Sequence, residues 1–292
     1  MSSENRYWLY KEILYRLIYV GNWVRFMFKK VPIDFFEVWV GQRCTLRCKD
    51  CCHLIPYVEP SLYDINSVIR DCELFLRFCK IDLFSIVGGE PFCHPELYKL
   101  IDFIAQRTDI PNVKIVTNGT IIPDDKTIES LKKINGIILI SIDLYPGKEV
   151  IATNFYNRLL DAGVRCRLTQ YSDWQWKELG GARQERLSIN AAKNAFRECW
   201  DKRCYTLSNG EFTACPRGIL SESVYGILKR KFENMRLSDI KGSLTAKAMI
   251  ATCMSHKIYK DYCRHCLGMT KTNTNHVTPG VQLTEIDLPK ER

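Results

Sequence analysis

The sequence has no run of the roughly 18 consecutive apolar residues that a membrane-spanning helix needs. Its first residues also lack a basic segment followed by an uninterrupted apolar core, so no secretory signal is expected. Cysteine is too sparse for a disulfide scaffold, at 14 of 292 residues, and a chain of this length buries a core without such help. The expected compartment is therefore the reducing cytoplasm, where cysteines bind metals or do chemistry more often than they cross-link.

Internal repeats, low-complexity segments and nucleic-acid-binding motifs are also missing from the sequence. The formal net charge is +9, but the basic residues are dispersed, in runs no longer than Lys229–Lys231. A dispersed surplus of this kind indicates a solvated basic surface, so no nucleic-acid partner is expected.

Residues 1–34 are expected to form an N-terminal amphipathic helix. Its aliphatic residues recur at helical spacing: Leu9, Ile13, Leu17, Val20 and Val24. Aromatic and basic residues surround them within residues 6–30, a mixture that suits the headgroup region of a membrane. Packing of this helix against the rest of the chain or against a second copy is the favoured interpretation, and peripheral membrane contact through residues 6–30 is the alternative.

Between residues 35 and 195, short apolar runs alternate with amphipathic segments of helical length. The apolar runs cover residues 35–40, 82–87, 113–117, 136–142 and 164–169. Apolar strands separated by helices indicate βα units with a parallel sheet, and a sixth strand is expected after residue 170. The predicted fold class is α/β, a partial (β/α)6 TIM-like barrel whose ligands gather on the loops that follow the strands.

A different pattern covers residues 196–271. Residues 204–215 are predicted to form a hairpin around Asn209 and Gly210, the preferred pair for a two-residue turn. Cysteines stand at both ends of this hairpin, and further cysteines follow a helical stretch near residues 236–252. This part is predicted to be a small domain of a β-hairpin plus helix that binds a cluster, followed by an irregular tail over residues 272–292.

Three cysteines follow the first predicted strand at CxxxCxxC spacing: Cys44, Cys48 and Cys51. Three thiolates on one loop can hold three irons of a cubane cluster and leave the fourth iron open to another ligand. Common zinc sites use other spacings and a fourth Cys or His, although His53 is close. The spacing therefore favours an iron–sulfur cluster over zinc at this loop.

The second predicted strand ends in Gly88, Gly89, Glu90 and Pro91. The two glycines let the backbone approach a ligand closely, and Glu90 supplies a carboxylate. Together with the cysteine triplet, this GGEP sequence resembles the radical SAM (S-adenosylmethionine) enzymes, whose CxxxCxxC loop holds a [4Fe-4S] cluster with SAM on its unique iron. The resemblance implies that GGEP binds SAM and that Glu90 contacts the methionyl ammonium.

Two further sequences are similar to this family. A TNG sequence at residues 117–119 ends the third predicted strand, and Ser141 and Asp143 end the fourth, where the family often places polar contacts to SAM. The resemblance implies cofactor contacts from Asn118, Ser141 and Asp143, with an ordinary Asn-Gly turn as the alternative for the TNG sequence. Asp50 departs from the family pattern, in which the residue before the third cysteine is often aromatic and contacts the adenine.

The cysteines beyond residue 195 resemble the SPASM and twitch domains, the auxiliary-cluster modules of this superfamily. A CX9–15GX4C spacing and a later CxxC pair supply four candidate ligands of a second [4Fe-4S] cluster: Cys199, Cys215, Cys263 and Cys266. Cys204 is the rival of Cys199 in this set. A structural zinc ion at the same four thiolates is the alternative to the cluster.

Cys253 remains outside both sets. It is expected either to pack as a small buried hydrophobe or to donate a hydrogen atom to a substrate radical, and Cys204 is a second candidate for that donor. Cys72, Cys79 and Cys166 lie within predicted helices or strands and are expected to pack.

The resemblance covers about residues 35 to 270 and implies an enzyme that cleaves SAM reductively to a 5′-deoxyadenosyl radical, which abstracts hydrogen from a substrate. The 43 residues before Cys44 are too few for the leader-binding domain that many peptide-modifying relatives carry. The expected substrate is a small, carbohydrate-like molecule that is epimerised or dehydrogenated, with a flavodoxin- or ferredoxin-type electron donor. Modification of a ribosomally made peptide is the second hypothesis, and a binding or scaffold protein with two structural metal sites is the third.

Overall fold

The computed structural model describes residues 3–170, 176–182 and 186–284. Its strands are β1 (Val31–Trp39), β2 (Cys79–Val87), β3 (Val113–Thr117), β4 (Ile138–Leu144), β5 (Cys166–Gln170), β6 (Tyr205–Ser208), β7 (Glu211–Thr213) and β8 (Asn234–Arg236). Its α-helices are α1 (Ser3–Arg25), α2 (Ile65–Phe78), α3 (Leu97–Ala105), α4 (Asp125–Lys133), α5 (Glu149–Asp161), α6 (Ile189–Glu198), α7 (Ser221–Tyr225) and α8 (Ser243–Cys253).

The strands form one open sheet in the order β5-β4-β3-β2-β1-β6-β7-β8. Strands β1 to β5 are parallel, and each follows its neighbour along the chain through a helix. Side chains such as Phe36, Phe84 and Ile115 are fully buried between the sheet and its helices. The α/β fold class predicted from the alternating apolar runs is confirmed.

The sixth parallel strand is not next to β5, where a barrel would continue. It lies at the opposite edge of the parallel strands, next to β1. It is β6, the first arm of the predicted hairpin, and it pairs with β1 from Phe36 opposite Tyr205 onward. Asn209 and Gly210 adopt φ angles of 46° and 75°, as the predicted two-residue turn requires. Strands β7 and β8 then extend the same sheet in antiparallel fashion, so the hairpin belongs to the main sheet.

The helix expected over residues 236–252 begins later than the sequence suggested. Residues Asn234–Arg236 form β8, and α8 starts at Ser243 after Gly242 adopts a φ of 111°. That backbone angle favours glycine and redirects the chain between the strand and the helix. None of the helices in the described ranges is long and apolar enough to cross a bilayer.

Helix α1 ends at Arg25, earlier than the predicted helix over residues 1–34, because Val31–Trp39 form β1. The helix packs against α8. Lys11 and Tyr15 are buried on the packed side, whereas Leu17 and Val24 of the predicted apolar row are 65% and 68% exposed. The ammonium of Lys11 is paired with a buried carboxylate of Glu233, and this ion pair fixes which side faces the fold. Helix α1 thus packs against the rest of the chain, and its aliphatic row lies on the exposed side.

Candidate functional site

A cleft opens at the carboxyl ends of the parallel strands. It encloses about 1240 Å³ of space, continuous with solvent, between the loops that follow β1, β2, β3 and β4. These loops bring together most of the predicted cofactor-binding residues: Cys44, Cys48, Cys51, Gly88, Gly89, Glu90, Asn118 and Asp143. They meet because the carboxyl ends of parallel strands share one edge of the sheet.

The loop that carries the cysteine triplet places its thiols in surroundings that disfavour free thiolates. Burial raises the pKa of Cys44 and of Cys48 to about 12, and it also raises the pKa of Cys51. Each thiolate would further repel its neighbours. A positively charged group bound by all three sulfurs removes this penalty, so the donor set fits an iron–sulfur cluster.

A segment of the predicted irregular tail lies against this loop, although no sequence pattern indicated this contact. The amide of Lys49 donates to the carbonyl of Val281 at 2.8 Å, and the amide of Arg47 donates to the side-chain oxygen of Gln282 at 2.7 Å. The side-chain nitrogen of Gln282 lies 3.8 Å from the sulfur of Cys48. Gln282 is thus a site residue that sequence reasoning missed.

The GGEP turn packs directly on the backbone that leads into the cysteine loop. A Cβ atom on Gly88 would lie 2.4 Å from the carbonyl oxygen of Gly41, and one on Gly89 would lie 2.2 Å from that of Arg43. Gly88 also has a φ of 134°, which side-chain-bearing residues rarely adopt. The close approach that these glycines permit is between two loops of the protein, and it fixes Glu90 relative to the cluster loop.

The carboxylate of Glu90 is 2% exposed and lies between the second and third strands. It accepts hydrogen bonds from the hydroxyl of Thr117 at 2.7 Å and from the amide of Asn118 at 2.8 Å. Burial nevertheless raises the pKa of Glu90 from 4.5 to about 7, since these neutral donors only partly compensate the lost hydration. The carboxylate therefore gains from a cationic partner such as an ammonium group.

The remaining residues predicted to contact the cofactor do not all line the cleft. The side-chain amide of Asn118 donates towards the sulfur of Cys44 at 3.6 Å, which joins the TNG turn to the cluster loop. Asp143 lines the cleft. Pro91 is buried beneath it, and Ser141 is 2% exposed and hydrogen-bonded to Thr169 at 3.0 Å, so the structure does not bring these two into the cleft wall.

The cleft also contains residues that the sequence did not single out. Glu37 is buried and accepts a hydrogen bond from the hydroxyl of Thr206 at 3.0 Å, and burial raises its pKa. A ring nitrogen of His53 donates to the carbonyl of Gly88 at 3.0 Å. Tyr145 and Trp176 form an edge-to-face pair on the wall, with ring centroids 5.8 Å apart. The sequence signal that could have identified Glu37 is its charge within the otherwise apolar run of residues 35–40.

A second, smaller cavity lies where α6, the hairpin and residues 261–268 meet. The structure brings all four first-choice auxiliary ligands to its wall: Cys199, Cys215, Cys263 and Cys266. The rival, Cys204, is absent from the described residues that line this cavity, and its sulfur lies 4.0 Å from a carboxylate oxygen of Asp201.

Arg217 and Tyr262 line the smaller cavity and carry buried donors that a group rich in acceptors would satisfy. The guanidinium of Arg217 is 3% exposed, and its Nε and Nη1 have no hydrogen-bond partner among the described residues. The hydroxyl of Tyr262, on the same cavity, has none there either. Cluster sulfides and thiolates accept such hydrogen bonds, so the four cysteines and these donors fit an auxiliary cluster.

Neither cavity arranges its donors around a single point. Within the described residues, no three His, Cys, Asp or Glu side chains converge as the ligands of one metal ion would. A cubane cluster takes each thiolate on a separate iron, so its ligands do not converge on one point.

Neither predicted hydrogen donor is among the described residues that line the cleft. Cys253 is fully buried in the core, with its sulfur 3.3 Å from the carbonyl oxygen of Glu233, and burial raises its pKa to about 12. Cys204 is not among the described residues that line the cleft, whereas Cys52 is. Cys72 and Cys79 are buried in the core as expected.

The two cavities are close neighbours. Cys266 lines the smaller cavity and Met269 lines the cleft. Three residues of extended chain span at most about 11 Å. The walls of the two cavities therefore come within about 11 Å of each other at these residues.

Comparison with known proteins agrees with this geometry. Residues 40–162 match the family described as the Radical SAM superfamily. The GTP 3′,8-cyclase of Campylobacter lari is 28% identical over 109 residues, which are 35% of this chain and 34% of that protein. The GTP 3′,8-cyclase of Campylobacter jejuni subsp. doylei is 31% identical over 127 residues, which are 40% of this chain and 37% of that protein. The chain thus spans about a third of the length of the curated relatives it matches.

Two solved structures share the fold. BtrN in complex with AdoMet and 2-DOIA has a TM-score of 0.53 and 17% identity, and the match covers 84% of this chain and 98% of BtrN. The enzyme anSMEcpe with bound AdoMet and Kp18Cys peptide has a TM-score of 0.51 and 13% identity, and the match covers 86% and 93% of the two chains. Residues 40–162, the part of the chain that matches the Radical SAM superfamily, carry the cysteine triplet, the GGEP turn and the TNG turn.

Proposed function

We propose that this chain is an enzyme that cleaves SAM reductively and abstracts hydrogen from a small, carbohydrate-like substrate, with an auxiliary cluster beside that substrate. The observation that carries the proposal is the convergence of the three triplet cysteines and Glu90 on one cleft at the strand ends. When bound, the [4Fe-4S] cluster and SAM supply a 5′-deoxyadenosyl radical. The protein's own residues bind and orient the reactants.

Cys44, Cys48 and Cys51 would hold the first cluster, because all three residues line the cleft from a single loop. Glu90 would hold the methionyl ammonium, which stabilises the charged form of this buried carboxylate. Asn118 and Asp143 offer polar contacts on the neighbouring strand ends.

The aromatic pair of Tyr145 and Trp176 offers a planar apolar surface for an adenine ring. Asp50, the residue before the third cysteine, does not provide such a surface. We therefore assign adenine packing to the loop after β4 and to residue 176, which replaces the family's aromatic position.

The polar groups that line the cleft support a small polar substrate. Glu37, His53 and Lys177 supply a carboxyl group, an imidazole and an ammonium on the cleft wall. Such groups suit a molecule with several hydroxyl or amino groups.

An auxiliary [4Fe-4S] cluster on Cys199, Cys215, Cys263 and Cys266 completes the proposal. The short span between Cys266 and Met269 favours a role for this cluster next to the substrate. Dehydrogenation is favoured over epimerisation, since both predicted thiol donors lie off the cleft wall. An auxiliary cluster held by these four cysteines would supply an acceptor for the second electron of a dehydrogenation.

The test begins with anaerobic reconstitution with iron and sulfide, followed by counts of iron and zinc and an assay for 5′-deoxyadenosine after reduction with SAM present. About eight irons per chain with SAM cleavage is the expected result. About four irons and one zinc with cleavage would leave the second site to structural zinc. Absence of cleavage in either case would overturn the enzyme proposal and favour a scaffold protein.

The reaction is then read from the mass of the product. Incubation with a panel of monosaccharides and amino sugars in deuterated water should remove two mass units from a substrate that is dehydrogenated. A gain of one unit indicates epimerisation. Peptide modification is the second candidate, because anSMEcpe binds a peptide on the same fold and this cleft is open to solvent. Peptides encoded beside the gene therefore belong in the same panel.

A further inference from the structure

Helix α1 displays a continuous apolar row on the outside of the protein. Its members are 49–68% exposed: Leu9, Ile13, Leu17, Val20 and Val24. The row continues beyond the helix to Phe28, which is 94% exposed. A helix of 23 residues is about 35 Å long, so the row forms a long apolar strip of a kind that monomeric soluble proteins rarely expose.

The orientation of α1 is fixed by the contacts of its opposite side. Lys11 is 2% exposed and paired with carboxylates of Glu233 and Asp261. The side chain of Asn22 donates to the hydroxyl of Thr252 on α8 at 3.1 Å. Rotation of the helix to hide the apolar row would place the ammonium of Lys11 in solvent and leave two buried carboxylates without it. The row is therefore held outward.

Cations accompany the row along its whole length. Arg6, Arg16, Arg25 and Lys29 are exposed, and the carboxylate of Glu12 is paired with Arg16 at 3.1 Å. Aromatic side chains are exposed at both ends of the strip, Tyr10 at 57% and Trp23 at 40%. An apolar strip flanked by cations and edged with aromatic rings matches the requirements of the interfacial region of an anionic bilayer.

We propose that the α1 surface, residues 6–29, docks the protein peripherally on a membrane that contains anionic lipids, with the apolar row in the headgroup–acyl boundary. Charge favours this occupant over a second copy of the chain. A symmetric dimer through α1 would bring the same cations of both copies together with few carboxylates to offset them. Anionic headgroups instead attract each of these cations.

Co-sedimentation with vesicles tests the proposal. The full chain, with its clusters reconstituted, is mixed with vesicles of equal parts phosphatidylcholine and phosphatidylglycerol and with vesicles of phosphatidylcholine alone. We expect binding to the anionic vesicles that weakens as salt is added, and much weaker binding to the neutral ones. Equal binding to both, or no binding to either, would overturn the proposal.

Two double variants at exposed residues test which part of the surface makes the membrane contact. L17D/V24D places charges within the apolar row, and R25Q/K29Q removes two of its cations. Each lost cation should lower the partition coefficient roughly fivefold, and the two aspartates should abolish measurable binding.

The matched controls are V150D and L228D, exposed apolar residues away from α1 at 78% and 80%, and R70Q on α2. The controls should bind vesicles like the unchanged protein. Thermal unfolding checks that every variant folds, since all these side chains are exposed.

Size-exclusion chromatography with light scattering supplies the competing outcome. A dimer that L17D/V24D dissociates, together with no vesicle binding by the unchanged protein, would assign the row to a second copy and overturn the membrane proposal. Vesicle binding that survives L17D/V24D would place the membrane contact elsewhere on the surface. The assay needs no SAM cleavage, so its result is independent of the proposed enzymatic function.

Discussion

The side-chain nitrogen of Gln282 lies 3.8 Å from the sulfur of Cys48, although 234 positions separate the two residues. The backbone of the same segment pairs with the loop, because the amide of Lys49 donates to the carbonyl of Val281. The loop that would hold the first cluster is therefore supported by a segment far along the chain, and its stability depends on that segment.

Replacement of Gln282 by Ala should accelerate loss of the first cluster. The variant loses the hydrogen bond from the Arg47 amide and the contact with Cys48, each worth about 1 kcal/mol. The measurement is the rate at which a chelator removes iron from the reconstituted protein. Gln106→Ala, at an exposed helix end, is the control and should release iron like the unchanged protein. Equal rates for both variants would show that Gln282 does not support the cluster.

Substitution of single cysteines should separate the two clusters. Cys215→Ala should lower the iron count from about eight to about four per chain while 5′-deoxyadenosine is still formed. Cys48→Ala should abolish 5′-deoxyadenosine formation and leave the auxiliary iron. Cys204→Ala is the matched control and should keep about eight irons, because its thiol is not on the wall of the smaller cavity. Loss of about four irons in Cys204→Ala would instead make Cys204 a ligand.

Addition of one methyl group to Gly88 should destabilise the fold strongly. Its φ of 134° and the carbonyl oxygen of Gly41 at 2.4 Å from the new Cβ together cost about 2–4 kcal/mol. Denaturant unfolding of the cluster-free protein measures this change. Gly136→Ala is the control, since a Cβ there meets no atom within 4 Å, and it should change the free energy of unfolding by no more than about 0.5 kcal/mol. An equally small effect at Gly88 would contradict the close contact between the two loops.

Binding of SAM should tighten as pH rises towards 7. Burial raises the pKa of Glu90 from 4.5 to about 7, so the carboxyl is neutral at pH 5 and ionises only near neutrality. An ammonium group needs the ionised carboxylate as its partner. Calorimetric titration of the reconstituted protein between about pH 5.5 and pH 8 should show rising affinity that levels above pH 7. Glu90→Gln should weaken binding roughly tenfold or more and remove this slope. A slope that persists in the variant would assign the titration to another group.

The same pKa has the opposite effect on the fold without SAM. A carboxyl whose pKa is raised by folding contributes stability that is fully present below pH 4.5 and is lost as pH rises through about 7. Thermal unfolding of the SAM-free protein should show this contribution decline over that interval. Glu90→Gln should not show it, and a decline of equal size in the variant would count against Glu90 as its source.

Local patterns in the sequence were enough to predict the βα units, the cysteine triplet on the loop after β1 and the hairpin turn at Asn209 and Gly210. Each of these features depends on residues close together in the chain. Apolar periodicity, thiol spacing and the residue pair of a two-residue turn can be read from such local sequence. The parallel order of strands then places the loops after β1 to β4 at one edge, so the main site could also be predicted.

The tertiary structure alone decided where β6 pairs, which side of α1 is buried and what covers the cluster loop. β6 pairs with β1 because that edge of β1 is open to it. No sequence pattern within β6 indicates this partner. The buried side of α1 was set by the pairing of Lys11 with Glu233, since one buried ion pair with a partner far along the chain outweighed the aliphatic periodicity. Contacts between distant segments, such as Gln282 with Cys48, leave no periodic trace, and only the folded chain brings their partners together.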